Sequence, residues 1–325
     1  MKAIHLHARG GPEQLVYEDA PKPQLKPGDA LVRVCACALT PTELDWPETY
    51  TAQDGTSRLP LVPGHELSGV VEEVAPDAGP VKVGDQVYAL TDFWRDGAAA
   101  DYIAVRAADL APKPGNLNFV EAAALPMASL TAWQALFDHA GLRPGDEILI
   151  HGATGGVGSL AVQLAHWRGA FVVATTSTRN VALAANLGAD KVIDYTSSRF
   201  EDYVHEADVV LDAVGGETLE RSWNVVRPGG IVVSIVDRIP EEKSLRHGVR
   251  GAFFIVEPNR RELVEITRLV EVDKLHPIVE TTFPLDRARE AFERGAGGHN
   301  RGKIVLQVAA DAARDQDPFV PEKAA

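Results

Sequence analysis

Residues Glu147-Ile148-Leu149-Ile150-His151 run straight into Gly152-Ala153-Thr154-Gly155-Gly156-Val157-Gly158, and Val157, Leu160, Ala161, Leu164 and Ala165 then recur at helical spacing. A glycine pattern alone says little. Between a strand and a helix it reads as a phosphate cradle. Gly155 and Gly156 let backbone N–H groups approach a pyrophosphate whose charge rests on the helix N-terminus. Gly158 permits close packing of helix on strand. Ala153 stands where the usual G-x-G-x-x-G pattern has its first glycine.

The surrounding chain supports this reading. Strands at 147–151, 171–175, 191–193, 208–212, 230–235 and 252–256 alternate with helices at 157–168, 181–186, 216–225 and 259–272. Such alternation predicts an α/β domain with a doubly wound parallel sheet. The first 120 residues have another texture. Apolar stretches at 31–38, 69–74, 86–90 and 101–105 are separated by turns such as Lys26-Pro27-Gly28-Asp29, which predicts a β-barrel or sandwich. Residues 121–140 read as helical. After Pro277 come one strand, a helix at 285–294 and a closing strand at 303–308, and residues 310–325 read as a frayed polar tail. The boundaries expected are 1–121 with 277–325 for one domain and 122–276 for the other. The segment 237–250 is polar and irregular, either a lid or a solvated loop.

Forty-six acidic against 32 basic side chains give a net charge of −14, which argues against general nucleic-acid binding and against adhesion to an anionic membrane. No apolar run approaches the ~20 residues of a membrane span, and Met1-Lys2-Ala3-Ile4-His5 lacks the pattern of a signal peptide. Two cysteines, Cys35 and Cys37, fit a reducing compartment. They lie two apart in a strand, on one face, and read as packed thiols. A cytoplasmic protein is expected. The second strand ends in Ala174-Thr175-Thr176-Ser177-Thr178-Arg179-Asn180 with no acid to bond a ribose 2′-hydroxyl. Arg179 can fork onto a 2′-phosphate and Ser177 can donate to it, so NADPH is the expected cofactor.

Further motifs extend the pattern: Gly64-His65-Glu66-Leu67-Ser68-Gly69-Val70-Val71, Val83-Gly84-Asp85-Gln86-Val87, the segment 97–105, Leu125-Pro126-Met127-Ala128-Ser129-Leu130-Thr131-Ala132-Trp133, Leu187-Gly188-Ala189-Asp190, Asp212-Ala213-Val214-Gly215-Gly216, Arg227-Pro228-Gly229-Gly230 and Gly302-Lys303-Ile304-Val305-Leu306. With these the chain, from residue 1 to about 308, resembles the medium-chain dehydrogenase/reductase superfamily, particularly its quinone-oxidoreductase-like branch. The resemblance implies a GroES-like barrel for catalysis and a Rossmann domain for the nucleotide, and it accounts for Ala153, a common replacement there. It also implies cofactor contacts from Thr131, Ala153, Thr154, Gly155, Gly156, Val157, Ser177, Arg179, Val214 and Ile235. Tyr195 falls where related NADPH enzymes put a tyrosine near the 2′-phosphate.

Alcohol dehydrogenases of this superfamily hold a catalytic zinc through a Cys, the His of Gly-His-Glu and a further Cys or acid. By the same resemblance the Cys positions fall on Thr40 and near Met127 or Ala128, leaving His65 and Glu66. That is fewer than the three protein ligands of a catalytic zinc, so no metal is expected. Oxidising an unactivated alcohol benefits from a Lewis acid. Hydride addition to a quinone or an α,β-unsaturated carbonyl puts charge on an oxygen that hydroxyl donors can hold. Thr42 and Thr40 are the expected donors, and His65 is either a turn histidine or a substrate contact. Trp46, Tyr50, Phe93 and Trp94 are candidates for an aromatic wall or for core packing. The expected function is NADPH-dependent, zinc-independent reduction of quinones, enones or enals. The alternatives are a zinc-less enoyl or double-bond reductase of a biosynthetic pathway and an NADPH-binding redox sensor with little turnover; a zinc alcohol dehydrogenase ranks behind these. The apolar run Ala252-Phe253-Phe254-Ile255-Val256, at the end of the expected 3-2-1-4-5-6 strand order, predicts a homodimer joined edge to edge.

Overall fold

The computed structural model describes residues 1–298 and 300–309; the polar tail 310–325 lies outside the described residues. The chain divides into two compact units, the first comprising Met1–Ala124, Thr281–Ala296 and the chain from Ile304, the second Leu125–Glu280 and Gly297–Lys303.

The second unit is built on six parallel strands, Glu147–Ile150, Phe171–Thr176, Lys191–Asp194, Ala207–Asp212, Val226–Ser234 and Arg250–Phe253. Numbered in chain order they lie 3-2-1-4-5-6 across the sheet, the doubly wound arrangement. Ile148, Leu149 and Ile150 are fully buried, as are Val172, Ala174, Val210, Leu211, Val232 and Val233. Helices cover both faces of such a sheet, so its strands are apolar in continuous runs. The first crossover helix, Gly156–Arg168, buries Leu160, Ala161, Leu164 and Ala165 and ends at Gly169 in the left-handed conformation.

Two details of this unit differ from the sequence reading. The sixth strand is Arg250–Phe253 and not 252–256, because Phe254 turns its ring onto His139, 4.3 Å between centroids. The irregular segment 237–250 contains a helix, Glu241–His247, with Glu241 and Glu242 in its first turn and Arg246 and His247 in its last. It buries no residue, so it has no apolar stripe to announce it, and its end charges oppose the helix dipole. Residues 121–140 are helical as read, in three pieces: helices Phe119–Ala123 and Pro126–Trp133, the latter with Pro126 in its first turn, and a wider-wound helical segment Gln134–His139.

The first unit holds a seven-stranded sheet centred on Asp29–Ala38 and Glu66–Val74. The ten-residue strand Asp29–Ala38 changes partner along its length. Its first half pairs with Tyr102–Arg106, and Ala36, Cys37 and Ala38 pair with Gln307, Leu306 and Val305. A register shift between Val34 and Ala36 marks the bend, the device by which a sheet curls toward a barrel. Cys35 and Cys37 are buried there as thiols. A two-stranded hairpin, Lys2–Leu6 with Leu15–Asp19, was not foreseen. Ile4 and Leu6 anchor it in a core that also buries Leu67 and Phe292.

Candidate functional site

At the end of the strand Glu147–Ile150, the Gly155 N–H donates to the Gly152 carbonyl at 3.0 Å, and Gly155 forms the N-cap of the helix Gly156–Arg168. No side chain caps this end, so its first N–H groups remain for a ligand. A Cβ on Gly158 would stand 2.1 Å from the Gly152 oxygen, so strand exit and helix entry pack backbone to backbone. Ala153 is fully buried. Thr154 is buried too, its hydroxyl 2.9 Å from that of Thr176 and accepting from Asn180 at 3.1 Å. The segment before the closing strand lies across this turn. The Gly302 N–H donates to the Thr154 carbonyl at 3.0 Å, and the Lys303 side chain lies 3.0 Å from where a Gly156 Cβ would be. A glycine-flanked turn whose Ala153 and Thr154 side chains are buried, open helix N–H groups and a lysine alongside fit a pyrophosphate.

Ser177 and the exposed Arg179 lie on the turn after the second strand. Arg301, absent from the sequence reading, joins them: its Nε donates to Asn180 Oδ1 at 2.5 Å and its Nη2 to the Arg179 carbonyl at 2.8 Å. Two arginines therefore meet at one exposed turn. Parallel pairing of Asp194 with Thr176 brings Tyr195, half exposed, beside it. The nearby carboxylate, Asp194, accepts from the Thr178 hydroxyl and from Thr196, and these bonds hold it below the usual carboxylate range. On the other side of the first strand, buried Asp212 accepts from the N–H groups of Val214 and Gly215 and from Ser234 Oγ. It thereby orders the exits of two strands, with Val214 exposed and Ile235 half-buried. Thr131 is buried in the helix Pro126–Trp133, its hydroxyl donating to the Met127 carbonyl at 2.6 Å.

In the first unit, Thr40 caps a short 3-10 turn, Pro41–Asp45, that exposes Thr42 and buries Glu43. Glu43 Oε1 accepts the Gly64 N–H at 2.8 Å and lies 3.3 Å from His65 Nε2. Thr91 Oγ1 is 3.4 Å from His65 Nδ1, and Phe93 packs edge-on at 5.0 Å, with Trp46 against Phe93 in turn. Burial, reinforced by Arg58, pushes the His65 pKa down to about 3. The ring is therefore neutral, and its approach to Glu43 is a polar contact and not an ion pair. Tyr50 belongs to the core, its hydroxyl donating to the Leu44 carbonyl at 2.6 Å. Among the described residues, no trio of His, Cys, Asp or Glu side chains gathers round His65 as zinc ligands would.

A six-stranded parallel sheet with a phosphate-fitting turn, together with a curled antiparallel unit, defines a two-unit protein with a nucleotide-binding fold. Residues 26–115 match the family Alcohol dehydrogenase GroES-like domain, and residues 187–306 match Zinc-binding dehydrogenase. The chain is 36% identical to the NADPH-dependent alkenal/one oxidoreductase, chloroplastic, of Arabidopsis thaliana, covering 94% of this chain and 79% of the relative. It is 34% identical to the "Probable zinc-binding oxidoreductase, mitochondrial" of Arthroderma benhamiae, covering 89% and 91%. The solved quinone oxidoreductase from Coxiella burnetii superposes with a TM-score of 0.88 at 32% identity, covering 95% of this chain and 99% of that one. The chain belongs to the medium-chain dehydrogenase/reductase superfamily, in its quinone-oxidoreductase-like branch, and is an oxidoreductase. The cytoplasmic expectation is overturned, since these relatives are named for mitochondria and chloroplasts. Acidic composition and two thiols do not distinguish one reducing compartment from another.

His151, fully buried between Thr175 and Ser222, is also pushed down to about 3 by burial. An unfolded imidazole titrates near about 6.5. Below that pH the unfolded chain binds protons at His65 and His151 that the native protein refuses, so stability falls as pH drops from about 6.5 toward 3. The slope is up to about 1.4 kcal/mol per pH unit for each histidine, and flat above that window. Replacing His151 by Asn should remove one proton's worth of slope in urea unfolding between pH 6.5 and 4.5. An unchanged slope would refute the neutral buried ring.

Proposed function

We propose that the protein is an NADPH-dependent reductase of quinones or of α,β-unsaturated carbonyls, enones and enals, working without zinc. The observation that carries the cofactor choice is the pair Arg179 and Arg301 at a turn whose strand ends without an acid. Gly155, Gly156, Val157 and the open helix end would hold the pyrophosphate, with Ala153 and Thr154 shaping the turn and Lys303 adding charge. Ser177, Arg179, Arg301 and Tyr195 would take the 2′-phosphate. Val214, Ile235 and Thr131 would flank the rest of the cofactor. NADPH, when bound, supplies the hydride.

The first unit would supply the acceptor's environment. As hydride reaches a conjugated carbon, charge gathers on the carbonyl oxygen, and the hydroxyls of Thr42 and Thr40 are the donors for it. Solvent delivers the proton to the resulting enolate. His65 acts as a positioning residue, its neutral ring packed against Glu43 beneath the Thr40 turn. Its donor set of one imidazole, one carboxylate and a hydroxyl lacks the ligands of a catalytic zinc, which favours conjugated acceptors over alcohols. We also infer a homodimer formed along the edge strand Arg250–Phe253, beside which Ile255 is 55% exposed.

Three measurements follow. Arg179→Ala and Arg301→Ala should each weaken NADPH binding by about 10- to 150-fold, since a charged hydrogen bond contributes about 1.5–3 kcal/mol, and leave NADH binding nearly unchanged. Equal affinity of the parent protein for the two coenzymes would sink the assignment. NADPH consumption against a panel of quinones, enals and alcohol-derived carbonyls should favour the conjugated acceptors and survive complete metal removal. Activity lost with the metal and restored by zinc would return the chain to alcohol chemistry, and binding without turnover would favour a sensor. Sedimentation should give twice the chain mass of 34.9 kDa; a monomer at micromolar concentration excludes the dimer.

A further inference from the structure

On the N-terminal hairpin, which carries no residue assigned to the reductase, we propose that His5, His7 and Glu18 form a binding site for one divalent zinc-class ion, with water as the remaining ligand. His5 and His7 lie two positions apart in extended backbone and so share a face. The partner strand registers Val16 opposite His5 and Glu18 opposite Ala3, which sets Glu18 diagonal to His5. Glu18 Oε1 lies 2.8 Å from His5 Nδ1 and 2.6 Å from His7 Nε2. The three ligand atoms all fall within 4.8 Å of one another, and among the described residues no other His, Cys, Asp or Glu trio does so.

Bonds of 2.0–2.2 Å to a tetrahedral zinc put neighbouring ligand atoms about 3.3 Å apart. Glu18 Oε1 now sits closer than that to each ring nitrogen, and the two ring nitrogens lie within 4.8 Å of one another, so small side-chain rotations that open the carboxylate contacts bring the three atoms round one ion. The backbone beneath is already held. Ile4 N–H donates to the Ala99 carbonyl at 2.8 Å, Leu6 N–H to the Leu61 carbonyl at 2.9 Å, and Ile4 and Leu6 are buried. The side chains of His5, His7 and Glu18 are 17%, 48% and 36% exposed, which leaves one side of the trio open for water.

The donor types choose the ion. Two imidazoles and a carboxylate are a known set of three protein ligands for a zinc that keeps water in its fourth position, and imidazole suits zinc and copper(II). Magnesium and calcium take oxygen ligands. An ion here would tie the strand Lys2–Leu6 to Leu15–Asp19 by side chains as well as by the ladder, displacing the imidazole protons that now face Glu18.

The test is titration of the full-length, metal-free protein with zinc chloride against a chromophoric chelator, with imidazole NMR resonances followed in parallel. The expected result is one zinc per chain at micromolar affinity, no competition from magnesium, and selective shifts of the His5 and His7 ring signals. His7→Ala, at an exposed position, and Glu18→Gln should each weaken binding at least tenfold, while reductase turnover is the same for the metal-free parent and both variants. Undiminished zinc binding by a His5→Ala/His7→Ala double variant would overturn the assignment, and so would failure of the parent to compete for zinc.

Discussion

The contact between Gly158 and the Gly152 carbonyl, where a Cβ would stand at 2.1 Å, is the constraint from which the second unit's chemistry follows. It presses the start of the helix Gly156–Arg168 against the exit of the central strand, so the helix end and its unpaired N–H groups open over the sheet's carboxyl edge. Register carries the effect sideways. Ile150 pairs with Ala174 on one side and with Leu211 on the other. The turns that follow Thr176 and Asp212 therefore leave the same edge of the sheet as the glycine turn, at the point where the strand order reverses. Gly302, at φ 68° with no room for a side chain against the Ile278 carbonyl, closes the arrangement from a distant part of the chain.

Charge is distributed against the average. A chain of net charge −14 gathers Arg179 and Arg301 at the turn after the second strand and Lys303 beside the glycine turn. Its acidic balance discourages polyanions, whereas a small phosphate ligand meets only the local field. The deeply buried histidines take the opposite course. His65 and His151 give up their charge, because an imidazolium in an apolar interior would be far costlier than a neutral ring with hydroxyl partners.

What the sequence disclosed was whatever rests on local pattern. The helix Val181–Asn186 and the strand Gln86–Leu90 are legible to the residue, and the order of the six parallel strands follows from alternation. What it concealed rests on long-range contact or on the lack of an apolar stripe. Arg301 reaches Asn180 across about 120 residues, and only its place beside the Gly302-Lys303 motif could have drawn attention to it. Glu43 comes to Gly64 and His65 through the fold of a short turn, not through any spacing. The hairpin strand Lys2–Leu6 alternates imperfectly, since Ala3 and Ile4 are both buried, so it carries no clean period of two.

The same long-range contacts bear on the proposed zinc-free chemistry of a chain whose matching family is named for zinc binding. Its two thiols lie on the strand before Thr40, and Cys37 Sγ sits 2.6 Å from where a Gly64 side chain would begin. That sulfur is packed behind the Gly64 backbone and donates to the Ala38 carbonyl at 3.6 Å. A soft donor is therefore near His65 in space yet committed to the core, and the turn in front of it offers threonine oxygens. Threonine is a poor ligand for zinc and a good hydrogen-bond donor to a carbonyl oxygen. A conjugated acceptor spreads the incoming charge over its own π-system, which lowers the stabilisation the protein must provide to what such donors can supply.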